Sequence, residues 1–502
     1  MEPQQPQPNQ PIYVNNYQMP GLNLYINPLF NGYMDQIMSM DGQIIRSVNL
    51  ESFPTGAKRK RAGYTSFLNP LGSQTNNLFA WNQDQANQIY LYNYTAGTLT
   101  YYDVTAGTGT AWIPCGNGTF GVSNSGSTPG NFLGQAVLNN TIICGDGVGS
   151  TRHSTDGINF TNTTLAPVAS YFATFQNFIW AGGGNGTFAS LLNNSNAGDP
   201  TTWLISGTTS AGQFLIPDAG FINHLSVLAQ NLIIGKTTGH MFRYDGYNLW
   251  DMASNNGPTS PFSYASKEGN GFWLSTDGIM TSQGDTPSLI SNAIQPQIYN
   301  HNQTGIAGSN FLTAPATIHR YDYLCSVGSI QDDFTNEPMN NAIIKYNIQQ
   351  NEFLNYQFAD NPTAWVTYKD YQAKYHLLFG NANGQVFDYG GTATSDNGVS
   401  IPSVIDMVFN FNAPYLQKDW RWIWAFFNPG CEAHIQIAAT DTFDRAKKNW
   451  ITIGDAKSGL VQYRFPQGMR SRLLWLRISE QSSVSRYDFL GVTIQAISKN
   501  PG

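Results

Sequence analysis

The segment Gly271-Phe-Trp-Leu-Ser-Thr-Asp-Gly-Ile279 joins a short β-type run to an Asp-Gly turn. Comparable runs that end in turn residues recur from about residue 78 to residue 400, roughly 35 to 55 residues apart, which is the length of one four-stranded propeller blade. Six further runs carry the repeat: Gln88-Ile-Tyr-Leu-Tyr92, Thr141-Ile-Ile-Cys144, Phe178-Ile-Trp180, Leu232-Ile-Ile-Gly235, Tyr323-Leu-Cys-Ser326 and His376-Leu-Leu-Phe379.

This repeat predicts an all-β chain that contains a six- or seven-bladed β-propeller. Short strands with turn signals dominate, whereas no amphipathic helix longer than about three turns stands out. The 49 glycines agree with the many tight turns that such a fold needs. A propeller serves many purposes, so the repeat predicts the fold and leaves the function open.

The sequence divides into four regions. Residues 1–20 are rich in Pro, Gln and Asn and predict an extended arm. Residues 21–75 predict an N-terminal β segment, including a strand at Ile44-Ile-Arg-Ser-Val-Asn-Leu50, and a basic loop. We predict that residues 76–400 form the propeller and that residues 401–502 form a C-terminal β-sandwich-like domain; an alternative is that part of this last region closes the ring of blades. The strands expected in that last domain are 420–427, 433–438, 472–478 and 487–494.

The composition restricts the class of function. Charged residues form only 11% of the chain, less than half of the roughly 25% typical of soluble domains. The formal net charge of −7 disfavours nonspecific wrapping of DNA, which depends on Lys and Arg. The same charge is compatible with a passage through which DNA slides. The N-terminus has no signal-peptide pattern, and no apolar run is long enough for a transmembrane helix, so we expect neither.

A basic cluster interrupts this charge-poor chain at Lys58, Arg59, Lys60 and Arg61. We expect a solvated loop that contacts an acidic surface of a neighbouring subunit or of an adaptor protein, because partly desolvated protein contacts use such charges well. Contact with DNA is a weaker alternative, and so is a nuclear-localisation signal.

Three tryptophans, Trp420, Trp422 and Trp424, alternate along one predicted strand. Alternate residues of a strand point to the same side, so we expect all three on one face, with Arg421 and Ile423 on the other. Such a face would anchor the C-terminal domain or a subunit contact.

Two Asp-Gly pairs, Asp156-Gly157 and Asp277-Gly278, lie in segments that resemble the Asp-box of sialidase-type propellers. In that motif, the carboxylate accepts hydrogen bonds from the amides of a turn, and a following aromatic residue packs beneath the blade. The first copy, Ser154-Thr-Asp-Gly-Ile-Asn-Phe160, includes the aromatic residue, and the second copy lacks it. We interpret both as structural blade hairpins.

No pattern predicts a catalytic, metal or cofactor site. The seven histidines form no HxH or HExxH pair, and the chain has no GxSxG elbow, P-loop or dinucleotide fingerprint. The four cysteines, Cys115, Cys144, Cys325 and Cys431, are widely spaced and are interpreted as buried thiols. We therefore expect a non-enzymatic protein without a cofactor.

Four stretches, in this order, resemble tail nozzle and packaged-DNA stabilisation proteins of tailed bacteriophages. Arg59-Lys-Arg-Ala-Gly-Tyr64 is similar to the segment that leads into their propeller, with Ala62 where proline is common. The other similar segments are Gly271-Phe-Trp-Leu-Ser-Thr-Asp-Gly-Ile279 with Leu289-Ile-Ser-Asn-Ala-Ile-Gln-Pro-Gln-Ile298, Gly380-Asn-Ala-Asn-Gly-Gln-Val-Phe387, and Ala413-Pro-Tyr-Leu-Gln-Lys418 with Phe489-Leu-Gly-Val-Thr-Ile494.

The resemblance covers most of residues 55–495 and implies a structural virion protein. Such proteins form a ring, usually of six copies, below the portal and its adaptor, where they continue the DNA channel and help to retain the genome. The implied partners are other copies of the chain, the adaptor or other tail proteins, and DNA in transit. The implied location is the virion tail, after synthesis in the bacterial cytoplasm.

Two other functions stay open. A phage receptor-binding or glycan-binding propeller would expose an aromatic platform on one propeller face. A sialidase-like glycosidase would need carboxylates that converge in a cleft.

Overall fold

A computed structural model of the 502-residue chain gives the fold. It describes residues 11–16, 44–52, 57–83, 88–107, 109–121, 132–184, 189–294, 298, 305–306, 308–331, 338–411, 416–428, 432–441, 448–456, 459–480 and 488–499.

Five strands precede the propeller repeat: β1 (Pro11–Asn16), β2 (Ile44–Val48), β3 (Leu50–Ser52), β4 (Lys58–Lys60) and β5 (Tyr64–Ser66). Five separate four-stranded antiparallel sheets follow, each built from consecutive strands. Unit 1 contains β6 (Thr75–Gln83), β7 (Gln88–Thr95), β8 (Thr98–Asp103) and β9 (Ile113–Thr119). Unit 2 contains β10 (Gly134–Leu138), β11 (Thr141–Gly145), β12 (Arg152–Ser154) and β13 (Thr161–Asn162).

Units 3 to 5 repeat this arrangement. Unit 3 contains β14 (Tyr171–Phe175), β15 (Phe178–Gly182), β16 (Leu191–Asn194) and β17 (Gly212–Leu215). Unit 4 contains β18 (Ile222–Leu228), β19 (Asn231–Lys236), β20 (Met241–Tyr244) and β21 (Leu249–Asp251). Unit 5 contains β22 (Ala265–Lys267), β23 (Asn270–Leu274), β24 (Ile279–Ser282) and β25 (Ser288–Leu289).

Units 6 and 7 belong to larger sheets. A 3₁₀ helix (Ser291–Ile294), β26 (Gly305–Ile306) and helix α1 (Gly308–Thr313) lead into them. Unit 6 contains β27 (Ala316–His319), β28 (Asp322–Gln331), β29 (Pro338–Asn347) and β30 (Glu352–Gln357), and β26 also pairs with β28. Unit 7 contains β31 (Ala364–Lys369), β32 (Tyr375–Gly380) and β33 (Val386–Tyr389), extended by β34 (Ser395–Asp396) and β35 (Val399–Ser400).

The structure confirms the all-β propeller prediction. Each of the seven runs identified in the sequence lies in the second strand of one unit, from β7 in unit 1 to β32 in unit 7. Second strands have a strand on either side and a packed layer on each face, so most of their residues are buried, as along Thr141–Gly145. Burial on both faces selects continuous apolar runs, and this is why these strands were visible in the sequence.

The N-terminal side of the chain completes unit 7. Strand β5 pairs antiparallel with β33, with Tyr64 opposite Tyr389, and supplies the fourth strand of that unit. The Tyr64 ring is buried, and its hydroxyl donates a hydrogen bond to Asp360 over 3.0 Å. The alternative that part of residues 401–502 closes the ring is therefore wrong, because β5 provides the closing strand.

The last unit contacts the first directly. The Thr75 amide donates a hydrogen bond to the carbonyl of Asn381 over 3.1 Å, and the Thr363 hydroxyl donates to the carbonyl of Thr75 over 2.7 Å. At Gly380, a Cβ atom would come within 2.5 Å of the Thr75 side chain, so only glycine fits this approach. Units 7 and 1 thus close the succession of sheets into a ring.

The C-terminal residues form the expected sandwich, with help from the N-terminal strands. The strands are β36 (Ser403–Phe409), β37 (Gln417–Phe427), β38 (Ala433–Thr440), β39 (Ile451–Ala456), β40 (Leu460–Arg464), β41 (Arg470–Ser471), β42 (Leu473–Glu480) and β43 (Asp488–Lys499). One sheet has the order β3-β4-β43-β37-β40, with β1 on β43 and β41 on β37. The other has the order β2-β36-β42-β38-β39.

The sandwich is continuous with the propeller. Strand β2 makes one parallel pairing with β30 of unit 6, between Val48 and Asn355, so the second sandwich sheet extends a blade. One apolar core contains residues of both sandwich sheets together with residues of units 5 and 6, including Trp475, Ile423 and Tyr323. The propeller and the sandwich therefore share a core instead of meeting at a flexible linker.

The strand expected at residues 44–50 is divided in the structure. Asn49 adopts a left-handed backbone conformation, with φ of 59°, between β2 and β3, which belong to different sheets. Asparagine tolerates this conformation better than other non-glycine residues. Of the predicted arm, residues 11–16 form β1 and the others lie outside the described residues.

Candidate functional site

The basic cluster lies in strand β4, at the junction of the propeller and the sandwich. Strand β4 pairs with β3 on one side and with β43 on the other. Lys58 and Lys60 point to one face and are buried, whereas Arg59 points to the other face and is about one-third exposed. Arg61, which directly follows the strand, is also buried.

Each of the four basic side chains pairs with a carboxylate of the same chain. Lys58 Nζ lies 2.8 Å from Glu352 Oε2 in unit 6. Arg61 makes a bidentate pair with Asp396 in the sheet of unit 7, at 2.7 and 2.6 Å. Lys60 pairs with Glu480, and Arg59 with Asp488, both in the sandwich.

The partners of Arg61 show how strongly it is held. Its Nε donates a hydrogen bond to Asn49 Oδ1 over 2.8 Å, and its Nη2 donates to the carbonyl of Gln357 over 2.8 Å. The guanidinium also lies 4.3 Å from the ring centroid of Phe358, which is a cation–π distance. The Arg61 side chain therefore contacts both the propeller and Asn49, the residue at which the chain passes from one sheet to the other.

The charges of the junction are set by burial and by pairing. Burial lowers the pKa of Lys58, and the Glu352 carboxylate opposes part of that shift. For Arg61, burial alone would lower the pKa, but the hydrogen bonds and charge of Asp396 outweigh it and raise the pKa. A hydrogen bond from Arg59 to Asp488 raises the pKa of Arg59.

This geometry corrects the prediction of an exposed contact loop. Lys58, Lys60 and Arg61 are buried against carboxylates of their own chain, so they cannot present a charged surface to another subunit or to an adaptor. These basic side chains are buried together with carboxylates because a buried charge without a partner costs far more free energy than a paired one. Strand β4 connects unit 6, the sheet of unit 7 and the sandwich, and therefore helps to fix their relative positions.

The prediction that the three tryptophans share one face of their strand is also wrong. Trp420 is buried in the sandwich core, together with Ile423. Trp422 and Trp424 lie on the opposite, partly exposed face, where their rings stack with centroids 6.4 Å apart. The pairing with β43 shifts between Trp420 and Trp422, so Arg421 is the extra residue of a β-bulge. A bulge changes which face the following residues occupy, and the alternation in sequence could not show it.

The Asp-Gly segments form turns within the propeller, as predicted. Asp156 Oδ1 accepts hydrogen bonds from the amides of Ile158 and Asn159, both over 2.8 Å. Partial burial alone would raise the pKa of Asp156, but these hydrogen bonds lower it to about 2. Gly157 has φ of 78°, and Phe160 is buried with its ring centroid 6.4 Å from that of Tyr92. Asp277 and Gly278 connect β23 to β24.

A second feature, which the sequence reading missed, lies between units 3 and 4. The rings of Trp180, Phe214 and Tyr244 pack against one another with centroids 5.3 to 6.2 Å apart. A cavity of about 170 Å³ opens beside them. Its lining residues are Trp180, Leu192, Phe214, Leu215, Ile216, Tyr244, Tyr247 and Leu249.

Apolar side chains near this cavity are unusually exposed. Tyr247 is 91% exposed and Leu215 is 71% exposed, and Phe214, Leu249 and Trp250 are exposed as well. We call these five residues the aromatic arc. Phe214, Leu215, Tyr247 and Leu249 line the cavity together, whereas Trp250 alternates with Leu249 in β21 and lies beside Arg243. Exposed apolar groups that lie together on a domain commonly mark an interaction site. A run such as Gly212–Leu215 carries no motif, so only folding brings it beside Tyr244 and Tyr247.

Across the described ranges, no group of three or more His, Cys, Asp or Glu side chains is arranged to hold a metal ion. Within those ranges, no helix has both the length and the apolarity needed to cross a membrane.

Comparison with known proteins gives only structural likenesses. No family model matches the chain, and no curated protein matches it. A computationally designed protein, Ika8, is 12% identical over 65% of this chain and 99% of its own, with a TM-score of 0.39. YCF48, solved with a D1 peptide, is 8% identical over 68% of this chain and 98% of its own, with a TM-score of 0.42. Raptor of Chaetomium thermophilum is 9% identical over 66% of this chain and 29% of its own, with a TM-score of 0.41.

Proposed function

We propose that this chain is a structural protein of a tailed-phage virion. In this proposal, it forms a ring, a nozzle or hub, below the portal and adaptor, which continues the DNA channel and helps to retain the genome. The basis is the ordered set of sequence segments that resemble that family.

The observation that best supports a structural role is the junction at strand β4. Two buried ion pairs, Lys58–Glu352 and Arg61–Asp396, and one continuous apolar core join the propeller to the sandwich. The pairs Lys60–Glu480 and Arg59–Asp488 hold strand β4 to other strands of the sandwich. A ring that encloses DNA under pressure needs subunits whose parts keep a fixed orientation. A shared core meets that need, because domains joined only by a linker move relative to each other.

The regional charges are compatible with a ring. Residues 64–400 contain 20 acidic and 8 basic residues, a formal charge of −12, whereas residues 401–502 contain 8 acidic and 12 basic residues, a formal charge of +4. Six copies would together carry a formal charge of about −42, which would repel the DNA backbone and favour sliding. Contacts between an acidic propeller and a basic sandwich would offset the repulsion between copies.

Native mass spectrometry and negative-stain electron microscopy of the purified chain test this proposal. We expect a closed ring, most simply of six copies, with a central opening. Raising the salt concentration should weaken the ring if contacts between opposite charges hold it. A trimer, or a monomer that stays monomeric with the adaptor present, would contradict the proposal.

A second candidate function, glycan binding, is favoured by the aromatic arc. Exposed rings such as Trp250 and Tyr247 can stack on sugar faces. The cavity itself is less suitable, because the Tyr244 hydroxyl donates to the carbonyl of Gly246 over 2.7 Å and the Trp180 indole NH donates to the carbonyl of Phe175 over 3.2 Å. These groups are already satisfied and leave few hydrogen bonds for a sugar. Binding of oligosaccharides that is lost in Trp250→Ala would support this alternative.

A further inference from the structure

The outer edge of unit 3 has an unusual strand. Strand β17 (Gly212–Leu215) ends its sheet, and among the residues that the structure describes, no strand pairs with its outer side. An edge strand presents unpaired backbone NH and CO groups, and proteins commonly protect such edges with charges. Here the sequence Gly-Gln-Phe-Leu contains none, and Phe214 and Leu215 are exposed.

The aromatic cavity lies directly beside this edge. Phe214, Leu215 and Ile216 form one wall of the cavity, and Tyr244, Tyr247 and Leu249 of unit 4 belong to its lining. Its volume of about 170 Å³ is close to that of an apolar cavity of roughly 150 Å³ that accepts benzene. The cavity is therefore large enough for one aromatic or branched aliphatic side chain.

Acidic groups flank the cavity. Asp218 follows Ile216 by two residues, and Asp245 follows Tyr244 directly. Backbone hydrogen bonds from Asn248 and Tyr247 lower the pKa of Asp245, so this carboxylate is charged at neutral pH. Of the basic residues nearby, Lys236 is buried and donates to the carbonyl of Ile216, and His240 lies 3.2 Å from Asp218 Oδ2. Arg243 lies over Trp250 and donates to the carbonyl of Gly284. Among the described residues, Asp245 is therefore the flanking carboxylate without a basic partner, and it makes the rim locally negative.

We propose that strand β17 and the adjacent cavity bind an extended segment of another protein chain, which adds a strand to unit 3 and inserts one large apolar side chain. The edge supplies backbone hydrogen bonds, and the cavity selects the side chain, as in other cases of strand addition. The acidic rim favours a segment with lysine or arginine on either side of the apolar residue. This inference does not depend on ring formation.

A synthetic peptide, Lys-Val-Thr-Phe-Thr-Val-Lys, provides a direct probe. Its alternation places Phe and both Val side chains on one face of a strand. Fluorescence anisotropy of the labelled peptide, titrated with the full-length chain, should show saturable binding. A peptide with Ala in place of Phe should bind at least about tenfold more weakly, since burying a Phe side chain is worth about 1.5–3 kcal/mol. N-methylation of alternate amides, or Glu in place of Lys, should also weaken binding.

Variants of the protein locate the site. Tyr247→Ala and Leu215→Lys change exposed side chains, so we expect unchanged melting temperatures and at least a tenfold loss of peptide affinity. Tyr371→Ala, at a 70% exposed tyrosine of unit 7, is the matched control and should bind normally.

Four outcomes would overturn the proposal. They are no binding at millimolar peptide, equal binding of the Phe and Ala peptides, binding that Tyr247→Ala leaves unchanged, and occupation of the site by something else. The last would appear as self-association, or as oligosaccharide binding, that Leu215→Lys or Tyr247→Ala abolishes.

Discussion

Charged side chains are usually exposed and large apolar side chains are usually buried. The junction at strand β4 departs from the first rule, and the aromatic arc departs from the second. At the junction, three basic side chains are buried, and all four of the cluster meet carboxylates of the same chain. At the arc, large apolar side chains such as Tyr247 are exposed. The difference shows that a conspicuous charge cluster can be internal structure, whereas a surface suited to a partner can lack any sequence motif.

The largest effect should follow from Arg61→Met at the junction. Asp396 would remain buried without its main counter-charge, and we expect a loss of about 3–5 kcal/mol in the free energy of unfolding. Urea denaturation measures it. Adding Asp396→Asn to this variant should recover much of the loss.

Arg59→Met is the matched control for Arg61→Met. Arg59 is more exposed, its pair is screened by solvent, and Asp488 keeps a hydrogen bond from Asn428. We expect a loss of at most about 1 kcal/mol. Equal losses in the two variants would show that burial does not determine how much each ion pair of the junction contributes to stability.

The sandwich offers a comparison of two tryptophans on one strand. Trp420→Ala removes a fully buried ring and should cost about 3–5 kcal/mol. Trp424→Ala removes a partly exposed ring on the opposite face and should cost clearly less. The shift in melting temperature distinguishes them, and similar shifts would contradict the bulge at Arg421.

Acid should destabilise unit 4 through His224. Burial lowers the pKa of His224 from 6.5 to about 3. The unfolded chain therefore binds a proton below pH 6.5 that the folded chain does not, and stability is lost as the pH falls from 6.5 towards 3. Between pH 7 and pH 5 this amounts to about 2 kcal/mol. His224→Gln should remove this loss, which urea denaturation at pH 7 and at pH 5 measures as a difference in the free energy of unfolding. An unchanged dependence on pH would refute the assignment.

The smallest effect on stability is expected at the arc. Tyr247→Ala should change the free energy of unfolding by no more than about 0.5 kcal/mol, because the side chain is almost fully exposed. Differential scanning fluorimetry checks this. A large loss would mean that the arc stabilises its own chain and does not await a partner.

The sequence predicted the features that depend on local pattern. The second strand of each unit is buried on both faces, and its apolar run is continuous, as in Asn231–Lys236. The turn at Asp156 and Gly157 was predictable because both its carboxylate and its glycine act within a few residues. The four expected strands of the C-terminal domain are present for the same reason.

The features that sequence pattern missed depend on distant contacts. Lys58 pairs with Glu352 and Lys60 with Glu480, which are separated by 294 and 420 residues. No local spacing could identify these carboxylates. Likewise, the closing strand Tyr64–Ser66 is too short to be recognised alone, and its role arises from pairing with β33.

The most direct test of the central claim, that the propeller and the sandwich form one body held at strand β4, is differential scanning calorimetry of the intact chain. The account predicts one transition in which the calorimetric and van't Hoff enthalpies agree, because the shared core makes unfolding cooperative. Arg61→Met should lower the midpoint of this transition. Two separate transitions in the unmodified chain, or an unchanged midpoint in the variant, would contradict the claim.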